Sequence, residues 1–138
     1  MIRKLLIAYD GSEQARKAFD VGIEIAAKFG ADVFVVSVAR PPEPADDVET
    51  EAILENANQY YEKHFAELRE TAGAAGITPH FEILVGHPAE QIVHYANEKE
   101  VDMIVMGHRG KSLIERWLLG SVSKRVLSYA HCTVTIVR

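Results

Sequence analysis

Cysteine is almost missing from this chain: Cys132 is the single one in 138 residues. One thiol excludes an intrachain disulfide and leaves no cysteine-based zinc pattern. Tryptophan is equally sparse, with Trp117 alone. No apolar run approaches the roughly 20 residues that a membrane-spanning helix requires. The first one, Leu5 to Tyr9, is stopped by Asp10 and is too short for a secretory leader, so no membrane association and a cytoplasmic location are expected. Surplus positive charge is also missing. Fifteen Lys and Arg stand against twenty Asp and Glu, a net charge of -5, so no global field draws the chain to nucleic acid. What is present is a globular composition, 48% hydrophobic and 25% charged, at a length that suits one domain over residues 1–138.

Five short apolar runs punctuate the sequence: Leu5 to Tyr9, Val33 to Val38, Phe81 to Val85, Met103 to Met106 and Val134 to Val137. Their length and β-branched content predict strands. The segments between them have helical periodicity. Ala15, Ala18, Phe19, Gly22, Ala26 and Phe29 recur every three or four positions and stop at Gly30, a natural C-terminal cap. Leu54, Ala57, Tyr61, Phe65, Leu68 and Ala72 form a second stripe, ended by Gly73 and Gly76. Pro88 suits the first turn of a third helix, and Val122, Val126 and Tyr129 mark a fourth.

Strict alternation of strands and helices implies an α/β fold, a doubly wound five-stranded parallel sheet with helices on both faces, Rossmann-like in type. Strands one, two and four read as continuous apolar runs, as burial on two sides requires. Strands three and five carry Glu82, Thr133 and Thr135 and are expected at the edges. The order that satisfies this is 3-2-1-4-5, which reverses direction between strands one and four, and a ligand crevice is expected there.

Two connections stand out. Arg40 to Asp47 is rich in proline and acid and reads as a connector into the second helix, and Glu43 to Glu70 holds nine acidic and two basic residues, either a solvated helix face or an acidic docking surface. The stretch from Gly107 to Gly120 is long for a strand-to-helix connection and is expected to be functional. Trp117 within it would report on ligand binding, while Leu113, Ile114 and Leu118 would repack or meet a partner.

At the predicted crevice, Gly107-His108-Arg109-Gly110 follows strand four, and Gly120-Ser121-Val122-Ser123 opens the fourth helix. Glycines allow close backbone approach and a helix start offers unpaired N–H groups, so together they make an anion cradle. Ser121 and Ser123 add hydroxyl donors. Between Gly107 and Arg125 five Lys and Arg stand against Glu115, a local +4 on an acidic chain, which suits a polyphosphate. Gly110-Lys111-Ser112 is not the end of a P-loop, because Val105 stands where that motif needs glycine. The turn after strand one, Asp10-Gly11-Ser12-Glu13, lacks the spaced glycines of a dinucleotide fingerprint.

Asp10 has two readings. It could bond a ribose or base, or help hold a metal near phosphates; equally, with Glu13 three residues on, it could cap the first helix. His64, His80, His87, His94 and His131 have no metal-ligand spacing and are expected at the surface, whereas His108 lies inside the cradle. Cys132 is expected to be a small buried residue.

Gly-x2-Gly-x9-Gly-Ser, spelled by Gly107, Gly110, Gly120 and Ser121, with Asp-Gly-Ser after strand one, resembles the ATP-binding branch of the universal stress protein family over the whole chain. The resemblance implies ATP as the ligand, with a divalent cation such as Mg2+ accompanying its phosphates. Ala8, Tyr9, Asp10 and Val38 would then surround adenine and ribose, and Met106 would line the base pocket. Gly107, Gly110, Gly120, Ser121, Val122 and Ser123 would hold the phosphates, with His108 and Arg109 in the same loop. His108 departs from the small hydroxyl residue often found there.

The expected function is an ATP-binding stress or signalling protein, a nucleotide-dependent switch acting on a downstream protein, with hydrolysis slow or absent because no water-activating carboxylate or arginine finger can be assigned. An ATP-using enzyme of a related fold and a nucleotide-free scaffold are the rivals. A homodimer is expected through the strand-five edge, Thr133 to Val137, whose apolar run carries no charge until Arg138.

Overall fold

The computed structural model describes residues 1–41, 50–109 and 119–138. Gly110, Leu113, Ile114, Trp117 and Leu118, and Pro42 to Asp47 of the connector, lie outside the described residues. Along the chain run β1 (Lys4–Ala8), α1 (Glu13–Phe29), β2 (Asp32–Ala39), α2 (Thr50–Ala74), β3 (His80–Val85), α3 (Pro88–Glu98), β4 (Met103–Gly107), α4 (Ser121–Tyr129) and β5 (Thr133–Val137).

The strands form one parallel sheet in the order β3-β2-β1-β4-β5. The side-chain period of two explains how it is covered. Leu5 and Ile7 of β1 point to the face packed by α1 and α2, together with Val33, Val35, Phe19, Phe65 and Leu68. Leu6 points to the other face and joins Val36, Ile104, Ile92 and Val126 beneath α3 and α4. Two-sided burial is why β1, β2 and β4 read as unbroken apolar runs. β3 and β5 are only partly buried, as Glu82 and the threonines of β5 foretold.

Local signals set the helix ends. Ser12, not Asp10, caps α1: its hydroxyl accepts the Ala15 N–H at 3.1 Å. Asp10 instead accepts the Ser12 N–H through Oδ1 at 2.9 Å, so its carboxylate braces the turn and the capping reading of Asp10 is replaced. Gly30 ends α1 in the left-handed conformation at φ 67°. Phe29, counted in the apolar stripe, is exposed. Gly22 lets α1 lie directly on β1, since a Cβ there would come within 2.6 Å of Ile7 Cδ1. Cys132 is half-buried against the α3–α4 core, and burial pushes its thiol pKa up.

Candidate functional site

The strand tops of β2, β1 and β4 frame a cavity of about 570 Å³, at the point where the chain order reverses. That volume is in the ordinary range for small-molecule sites. β1 and its turn contribute Ala8, Tyr9 and Asp10; β2 contributes Val38; β4 contributes Met106 and Gly107. Arg109 follows, and the start of α4 adds Gly120, Ser121, Val122 and Ser123. Eleven of the expected site residues are thereby brought together. Gly110 lies outside the described residues, and His108 does not line the cavity.

Chemically the cavity has two characters. Ala8, Val36, Val38, Ile92 and Met106 make an apolar wall on the α3 side, suited to a flat base. In the same cavity α4 opens with an N-terminus that no side chain caps: Gly120 is the N-cap residue and makes no side-chain hydrogen bond. A helix start without a cap leaves N–H donors free for an anion. Arg109 adds a cation beside it, and Asp10 is the one carboxylate in the described lining.

The limbs of the cradle are joined by backbone bonds. Gly120 N–H donates to the His108 carbonyl at 3.0 Å, and His108 N–H donates to the Val137 carbonyl of β5 at 2.7 Å. Glycine at 120 is favoured by proximity rather than by φ, because an added Cβ would lie 3.3 Å from Arg109 Cα, a tight contact that the Arg109 backbone would have to yield to. At Gly107 a Cβ would lie 3.0 Å from the Gln14 backbone, so this glycine lets the start of α1 approach β4. Ser123 is buried and donates its hydroxyl proton to the Gly107 carbonyl at 2.9 Å; Ser121 is exposed.

Six lining residues escaped sequence reasoning: Ala15 of α1, Val36 of β2, Arg40 beyond β2, Tyr61 of α2, and Pro88 and Ile92 of α3. Tyr61 belongs to the predicted apolar stripe, and nothing in that stripe distinguishes a core residue from a cavity wall. Burial, then the charge of Asp10, pushes its phenol up to about 12, so it stays a hydrogen-bond donor at neutral pH. Beneath it Ser37 is buried and donates to the Tyr9 carbonyl at 2.6 Å. His64, expected at the surface, is half-buried and bonds the Tyr9 hydroxyl through Nδ1 at 2.9 Å, a contact made only when α2 packs on β1.

A model of the universal stress protein family matches residues 1–138. A universal stress protein of Methanocaldococcus jannaschii is 35% identical over 145 residues, covering 100% of this chain and 83% of the relative. A universal stress protein from Lactobacillus plantarum has the same fold, with a TM-score of 0.88 at 22% identity, covering 99% of this chain and 98% of that one. A universal stress protein solved in complex with cAMP has a TM-score of 0.78 at 27% identity, covering 99% and 97%. A family match over the full length, on a sheet of this order with this cradle at its switch point, means that the chain belongs to the universal stress protein family.

Proposed function

We propose that this chain binds ATP at the switch-point cavity and acts in stress response or signalling as a nucleotide-dependent switch, with hydrolysis slow or absent. The observation that carries the reading is the pairing of an apolar base-sized wall with the uncapped start of α4 in one cavity. The relative that holds cAMP supports an adenine nucleotide. Ala8, Tyr9, Asp10 and Val38 surround adenine and ribose in this reading, with Met106 against the base. Gly107, Gly110, Gly120, Ser121, Val122 and Ser123 hold the phosphates, and Arg109 offsets their charge. Since the Ser123 hydroxyl proton already serves Gly107, that residue contributes its backbone N–H.

A divalent cation fits only as a companion of the phosphates. Asp10 and Ser121 are the hard oxygen donors at hand, and no group of three or more His, Cys, Asp or Glu among the described residues forms a cage of its own. Slow turnover fits the described lining, in which Asp10 is the one carboxylate and braces the Ser12 N–H.

The partner proposed for this domain is a second copy, paired edge to edge through β5, which among the described residues pairs with β4 alone. The ligand is tested by denaturing the purified protein, identifying released nucleotide by mass spectrometry, and titrating ATP, ADP, AMP and cAMP by calorimetry. ATP binding stabilises the fold by about 2.7 kcal/mol at ~100 times the dissociation constant. Failure of all four nucleotides to bind the folded protein refutes the reading.

A further inference from the structure

His108 stands at the junction of the cradle yet outside the cavity. Its N–H is bonded to Val137 of β5, and its carbonyl accepts the Gly120 N–H at 3.0 Å and faces the Ser123 hydroxyl at 3.3 Å. The backbone of one residue thus ties the end of β4, the end of β5 and the start of α4 together. The residue is 5% exposed, and Nε2 of its imidazole is fully shielded from solvent with no hydrogen-bond partner among the described residues. Such a ring is tolerated when neutral. As imidazolium it would bury a charge that has no counter-ion among the described residues, which proteins avoid.

From this geometry we infer that His108 is a positioning residue for the phosphate cradle, holding the β4–α4 junction closed only while its imidazole is neutral, so that acid weakens nucleotide binding. The inference rests on the nucleotide reading above. Burial first, then the charges of Arg138 at the end of β5 and Arg109 beside the ring in the cradle, favour the neutral form, and among the described residues these two cations are the charged groups that act on the ring. Protonation drives the ring toward water. That movement strains the His108 bonds to Val137 and Gly120, and with them the spacing of Gly107, Gly120 and Ser121 that the phosphates need. Bound phosphate acts in the opposite sense, since its negative charge favours an imidazolium, so the sign of the pH effect decides between the two pictures.

The test uses the full chain and cAMP and ATP as probes. cAMP serves because its phosphodiester does not titrate between about pH 5 and about pH 8. Calorimetry gives each affinity across that range, and the NMR titration of His108 gives its protonation. The expected result is a constant affinity above about pH 6.5. Below it the affinity falls, approaching about tenfold per pH unit once the imidazolium prevails in the free protein. His108→Phe and His108→Gln, which cannot titrate, flatten the profile whatever their absolute affinity. Two variants are used because one of them can fail to fold. Affinity that rises with acid, that stays constant while His108 stays neutral or becomes protonated, or that falls equally in the variants overturns the inference. Absence of binding at about pH 8 refutes the nucleotide reading itself.

Discussion

The hydroxyl of Ser123 donates to the carbonyl of Gly107 at 2.9 Å, so the first turn of α4 is anchored to the end of β4 across sixteen positions of chain. Together with the Gly120 to His108 bond, it ties the start of α4 to the end of β4. The hydroxyl of this buried serine is a strut between the two elements.

Ser123→Ala removes that strut and is expected to cost about 1–3 kcal/mol, the usual consequence of deleting one partner of a buried hydrogen bond. Urea unfolding measures the loss. Calorimetry on the folded variant should show weaker ATP binding as the helix start loses its fixed distance from Gly107. Unchanged stability and affinity together would contradict the anchoring role.

Gly120→Val should abolish nucleotide-dependent stabilisation. Its Cβ meets the Arg109 backbone at 3.3 Å, and the branched methyls separate the two limbs proposed to hold phosphate. A thermal-shift series with ATP checks this, and a folded variant with wild-type response would exclude the cradle as the phosphate site.

Gly22→Ala sets two effects against each other. Alanine gains about 1 kcal/mol in helix propensity. Its Cβ, however, would fall 2.6 Å from Ile7 Cδ1, and Ile7 is fully buried. Overpacking of this kind costs about 1–3 kcal/mol, so net destabilisation is expected. Ile7→Val removes Cδ1, the nearer of two clashing atoms, and leaves Cγ1 at 2.8 Å; this partial relief should make it better tolerated in the Gly22→Ala background than alone, a coupling that a double-mutant cycle reads directly.

Acid stability should depend on Asp102. Its Oδ2 accepts the Arg3 N–H at 2.8 Å and the Lys4 N–H at 2.9 Å, and these bonds hold its carboxyl below the ordinary value. The folded state therefore binds this proton later than the unfolded state as pH falls. The contribution is complete above about pH 4 and is lost as pH drops through the folded value. Asp102→Asn should lower stability at neutral pH and reduce the acid slope of urea-unfolding curves.

The proposed dimer is checked by light scattering at micromolar concentration. Ile136→Pro, which places a residue without an N–H in β5, is expected to shift the protein toward monomer. Circular dichroism on the same sample separates dissociation from unfolding. A monomeric wild type would refute the edge pairing.

Much was legible in the sequence because it depends on local periodicity. Unbroken apolar runs at Leu5–Ala8 and Met103–Met106 mark strands buried on both faces, while Glu82 and Thr133 mark edges, and one strand order reconciles them. Gly107 and Gly120 were legible for a similar reason: close backbone approach restricts residue type strongly at both positions. Tertiary structure decided what depends on packing between distant elements. Only the docking of α2 on β1 turns Tyr61 into a cavity wall and gives His64 a partner in Tyr9, because both contacts join residues more than fifty positions apart. Only the meeting of β4, β5 and α4 draws the His108 ring out of the cradle and into the protein, where burial, rather than any motif, sets what it does.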